Sequence, residues 1–120
     1  YKDLGESARA IEFYEHALLI SREIGDRRSE GNTLGNLGIA YKNLGETARA
    51  IEFYEQALII AREIGDRRGE ANVLYNWSLE IENTDPALAR SLATEAFTIY
   101  ESIGSPNAAG ARALLESLPQ

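Results

Sequence analysis

The sequence predicts an all-α fold, an antiparallel helix-hairpin solenoid of about two and a half repeats closed by a C-terminal capping helix. Two observations carry this. Residues 41–80 repeat residues 1–40 with 27 of 40 aligned positions identical: YKDLGESARAIEFYEHALLISREIGDRR returns as YKNLGETARAIEFYEQALIIAREIGDRR. A period of about 40 residues marks units that bury their apolar faces only against their neighbours. The second observation is punctuation. Glycines recur at 5, 25, 45 and 65, while all 3 prolines fall at residue 86 or later, so the first 85 residues contain no strong helix breaker.

Each element follows in order. A helix is expected over 7–24, with Ser7 as a capping residue and Gly25 as its left-handed terminator. Asp26 then caps a helix over 27–44. Its Leu34, Leu37, Tyr41 and Leu44 fall at i, i+3, i+7 and i+10, one helical face. Gly38 sits inside this helix at a cost of about 1 kcal/mol relative to Ala. A close crossing against Ala50 and Tyr54 of the next helix is the reason to accept it. That helix spans 47–64, with Thr47 as a capping residue and a stripe of Ala50, Ile51, Tyr54, Ala57, Leu58 and Ala61. Asp66 caps the helix over 67–82, where Trp77 takes the core position of Leu37. The helix over 86–103 keeps Ala89 and Ala96 but has Ala93 where the others have Tyr. The last helix, 107–118, sets Ala111, Leu114, Leu115 and Leu118 opposite Arg112 and Glu116, and Pro119 ends it. Short links make consecutive helices antiparallel. The expected organisation is one domain over 1–120: a partial repeat at 1–25, a repeat at 26–65, a degenerate repeat at 66–104 and a cap at 105–120.

The 120 residues are 44% hydrophobic and 26% charged, as in an ordinary globular domain. No run of about 18 apolar residues occurs, so no membrane span or membrane partner is expected. A net charge of −7 lacks the basic footprint of a nucleic-acid binder. The absence of Cys excludes disulfides and thiolate metal sites and points to a reducing, cytoplasmic setting. His16 is the only histidine, so no metal or other cofactor is expected. The chain opens on Tyr1 rather than Met, which suggests a piece of a longer array with repeats upstream.

Catalysis is not expected. A nucleophile, its base and an orienting group must converge, and one His with outward-facing Glu12, Glu15, Glu52 and Glu55 supplies no such set. GNLG at 35–38 lies inside a helix, where it cannot form a phosphate loop after a strand.

The run Asn36-Leu37-Gly38-x-Ala40-Tyr41-x-x-Leu44-Gly45, followed by Ala50, Tyr54 and Ala57, resembles the tetratricopeptide repeat. The unit is similar to the roughly 40-residue version found in cell-polarity and motor-cargo scaffolds and in bacterial signalling proteins. The resemblance is close over 1–80 and departs beyond, where Leu37-Gly38 becomes Trp77-Ser78 and Leu44-Gly45 becomes Asn83-Thr84-Asp85-Pro86. It implies a right-handed superhelix whose first helices line a concave groove, and a protein or peptide partner held there. The residues so implicated are Asn32, Gly35, Asn36, Ile39, Lys42 and Asn43, then Asn72, Tyr75, Asn76, Leu79 and Asn83.

The spacing 32, 36, 39, 43 and its copy 72, 76, 79, 83 is a helical stripe in its own right. Asn is a poor helix former, and its carboxamide both donates to and accepts from a peptide main chain. The alternative is that these are solvated positions, or that they bond an adjacent helix end. Arg27–Arg28 and Arg67–Arg68 are expected to pair with Glu30 and Glu70 in solvent. Ala10, Tyr14 and Ala17 match the buried Ala50, Tyr54 and Ala57 but lack a preceding helix to cover them. They form an expected self-association patch. A peptide-binding module and a structural or self-association module are thus both open.

Overall fold

A computed structural model of the chain describes residues 4–119, Leu4 by its backbone alone. The fold is all-α and built of helical hairpins, with no strand among the described residues. The helices are α1 (Leu4–Ile24), α2 (Arg27–Asn43), α3 (Thr47–Ile64), α4 (Arg67–Ile81), α5 (Pro86–Ser102) and α6 (Ala108–Ser117). They fall into two compact units, Tyr1–Gly65 and Asp66–Gln120.

In the first unit α2 packs against both α1 and α3. Two turns set this arrangement. Asp26 caps α2 by accepting the Ser29 N–H at 3.2 Å, and Gly25 takes φ 72°. Gly45, at φ 80°, closes the α2–α3 turn. Its N–H donates to Lys42 O at 2.9 Å, and that of Glu46 donates to Tyr41 O at 2.9 Å. A positive φ is cheap only for glycine.

The core between α2 and α3 is the predicted stripe: Leu34, Leu37 and Tyr41 against Ala50, Tyr54, Ala57, Leu58 and Ala61, all buried. Gly38 is the close crossing point, since a Cβ there would meet the Tyr54 ring and stand 3.2 Å from Ala50 O. Tyr41 and Phe53 stack with centroids 5.4 Å apart and planes 7° from parallel. Arg49 lies 4.7 Å over the Tyr41 ring.

In the second unit α5 packs against both α4 and α6. Asp66 caps α4 through the Gly69 N–H at 3.0 Å, and Asp85 caps α5 through the Leu88 N–H at 3.2 Å. Pro86 stands in the first turn of α5, where its missing N–H leaves no helical bond unmade. Ala71, Leu74, Ala89, Ala93, Ala96 and Tyr100 form the α4–α5 core. Ser78 is fully buried where the first unit has Gly38, and its hydroxyl donates to Tyr75 O at 2.8 Å. Ala111, Leu114 and Leu118 of α6 are buried. The Arg90 guanidinium of α5 donates to the carbonyls of Leu115, Leu118 and Pro119, satisfying the end of α6.

Four expectations change. The first helix starts at Leu4 rather than Ser7, and Gly5 lies within it instead of ending a helix. The Gly45 turn is held by carbonyls of the helix before it, and no helix precedes Gly5 among the described residues. Ser7 is a buried residue of α1 rather than a cap. Thr47 is the first residue of α3, whose N-cap position belongs to Glu46. Trp77 is only half-buried, where Leu37 is fully enclosed.

Candidate functional site

The stripe on α2 turns away from the core. Asn32 and Asn36 are exposed, while Ile39, Lys42 and Asn43 are half-buried. Asn36, Ile39 and Asn43 line an open cleft of about 330 Å³ together with Ala40 and with Glu6, Ser7, Ala10 and Tyr14 of α1. The cleft thus joins the α2 stripe to two of the three α1 residues expected to self-associate. Its chemistry is mixed: two carboxamides and one carboxylate surround an apolar floor of Ile39, Ala10 and the Tyr14 ring. Such a surface offers main-chain hydrogen bonding around a small hydrophobic seat.

The corresponding stripe on α4 behaves differently. Tyr75, Asn76 and Leu79 are half-buried, and Asn72 is exposed. Asn72 nevertheless has its oxygen engaged, accepting the Tyr100 hydroxyl of α5 at 2.5 Å. Burial, reinforced by the neighbouring Tyr75, raises the Tyr100 pKa, so this hydroxyl stays a donor. The Tyr75 and Tyr100 rings meet edge-on, 6.5 Å apart. Asn72 therefore ties two helices together, the adjacent-helix alternative raised for these asparagines.

Ala10, Tyr14 and Ala17 are half-buried, partly covered by α2. The large exposed apolar residues of α1 lie beside them: Phe13, Ile20 and Ile24, with Ala17 between, at i, i+4, i+7 and i+11. Sequence reasoning missed these three. Their copies on α3 carried the signal, because Phe53 and Ile60 are inward-facing and identical in type.

A charge cluster ties the unit together beside this face. Glu30 is buried, as is Glu70 in the second unit, so neither pairs in solvent. Glu30 accepts from Arg22 Nε at 3.1 Å and Arg27 Nη1 at 3.0 Å, and Arg27 also bonds Glu63. Burial raises the Glu30 pKa, but the bonds from Arg22 and Arg27 outweigh it and hold the carboxyl below its ordinary value. Three helices converge there, through Arg22 of α1, Arg27 and Glu30 of α2, and Glu63 of α3. Glu70 repeats the local pair with Arg67 at 2.9 Å.

His16 is exposed on the outer surface of α1. No helix among the described residues is long and apolar enough to cross a membrane.

A family model described as tetratricopeptide repeat matches residues 1–63 and again residues 32–102. Among curated proteins, G-protein-signaling modulator 1 of Homo sapiens is 50% identical over 38 residues. That stretch covers 32% of this chain and 6% of the human protein.

Proposed function

The chain belongs to the tetratricopeptide-repeat family, whose repeats form non-enzymatic scaffolds for protein–protein interaction, and on that premise we propose that it holds a peptide segment of a partner protein. The observation that supports this is the α1–α2 cleft, where Asn36 and Asn43 flank Ile39, Ala10 and Tyr14. An extended segment satisfies its main-chain N–H and C=O groups on the carboxamides and seats one apolar side chain on the floor. Asn32 and Lys42 extend the same α2 stripe, and Lys42 favours an acidic group on the ligand. On α4, Asn76, Tyr75 and Leu79 offer a second set of the same kind. Asn72, held by Tyr100, positions that face rather than touching the ligand.

Peptide display on the full chain and on an Asn36→Ala/Asn76→Ala double variant tests this. Sequences enriched on the first and lost on the second, with unchanged helicity, are expected. Equal enrichment on both sinks the reading.

A second reading is favoured by the exposed Phe13, Ile20 and Ile24. Here the outer face of α1, with Ala10, Tyr14 and Ala17, is an assembly surface, and the chain is a structural or self-association module of a larger signalling protein. A chain that stays monomeric at high concentration in light scattering, and binds no helix there, argues against it.

A further inference from the structure

The first unit contains its own template for what covers α1. Gly31, Gly38 and Tyr41 of α2 meet α3 at three places. A Cβ on Gly31 would lie 3.0 Å from Ile60 Cγ2, a Cβ on Gly38 would strike the Tyr54 ring beside Ala50, and Tyr41 stacks on Phe53. The four receiving residues, Ala50, Phe53, Tyr54 and Ile60, recur unchanged on α1 as Ala10, Phe13, Tyr14 and Ile20. Their surroundings differ sharply. Ile60 is 4% exposed and Tyr54 0%, whereas Ile20 is 58% exposed, Phe13 68% and Tyr14 half-buried. The receiving surface is thus duplicated and the covering helix is not.

We infer that the outer face of α1 receives a partner helix built like α2, with small residues seven apart over Ile20 and Tyr14 and an aromatic ring three residues later over Phe13. The inference rests on the assembly reading above and specifies its occupant. The identity of the four receiving residues carries it. A surface complementary to Gly31, Gly38 and Tyr41 on α3 has the same side chains at the same helical spacing on α1. Bulky residues at the two small positions are excluded, because the Tyr54 ring and Ile60 already crowd the backbone of α2. A flat apolar partner without that pattern would leave the Tyr14 ring and Ile20 without a recess.

The test uses the full chain and a labelled synthetic peptide of residues 26–43, followed by fluorescence anisotropy. Saturable one-to-one binding is expected. It should weaken at least tenfold on Ile20→Glu or Phe13→Glu chains and when the peptide carries Gly38→Leu. Leu19→Glu, at an exposed apolar residue on the far side of α1, should leave binding unchanged. Both face variants alter exposed residues, so their folding is checked by unchanged helicity. Equal binding to the Ile20→Glu chain would mean that the peptide exchanges elsewhere, and overturns the inference. No peptide binding, with a dimer in sedimentation that Ile20→Glu dissociates, makes a second copy the occupant. That result overturns the inference and leaves the assembly reading standing. No peptide binding and a monomer throughout sinks both.

Discussion

Gly38 lies against the ring of Tyr54 so closely that a Cβ on it would fall 2.5 Å from Tyr54 Cε1 and 2.7 Å from Cδ1. The ring is fully buried and cannot swing aside. Gly38→Ala gains about 1 kcal/mol of helix propensity. Overpacking costs about 1–3 kcal/mol, and a contact this short belongs at the upper end. The expected outcome is a net loss of about 1–2 kcal/mol in urea denaturation.

Gly35→Ala is the matched control. It lies in the same helix, and a Cβ there meets nothing within 4 Å. Stability should rise by up to about 1 kcal/mol. Opposite signs for two Gly→Ala changes three residues apart isolate packing from propensity. Equal signs would show that the Tyr54 contact does not govern the crossing.

The Glu30 cluster predicts a pH dependence. The folded-state pKa of Glu30 is lowered, so its stabilisation is present above the unfolded value of about 4.3 and is lost as pH falls through the folded value. Glu30→Gln should lower stability at neutral pH by about 1 kcal/mol, a figure reduced because Arg22 and Arg27 are nearly half exposed. Denaturation curves of the two proteins should converge near pH 3. A difference that persists there would assign the effect to packing.

Arg90 predicts the behaviour of the C-terminus. Arg90→Ala removes the donor that satisfies Leu115, Leu118 and Pro119 carbonyls. Amide hydrogen exchange should quicken in the last turn of α6 and stay unchanged in α4. Deleting residues 106–120 should lower the melting temperature sharply, since it uncovers Leu92, Ala96 and Ile99 of α5. An unchanged melting temperature would remove α6 from the role of cap.

Features set by adjacent residues were legible in the sequence. Asp26, Asp66, Gly25, Gly45 and Gly65 act within a few residues of themselves, and their chemistry admits few alternatives. Gly38 was legible because a costly glycine opposite Ala50 and Tyr54 has one cheap explanation. Features set at a distance were not. Glu30 looks like any first-turn acid until Arg22 of the preceding helix encloses it. Asn72 looks like Asn32, yet Tyr100, twenty-eight residues on, takes its oxygen. Phe13 and Phe53 are the same residue in the same local sequence. Only the helix beside each decides that one is exposed and the other stacked.

The duplicated face has a consequence for folding. α1 and α3 present the same residues, so any α2 in solution has two chemically equivalent suitors, its own α3 and the α1 of another molecule. Sequence cannot choose between them; tethering can. The turn from Leu44 to Glu46 is three residues long, and so short a connection holds α3 at an effective concentration on the order of millimolar. A neighbour's α1 competes only at bulk concentration. Lengthening that turn would erode the advantage, and crowded refolding would then yield interlocked molecules from a chain whose side chains had not changed.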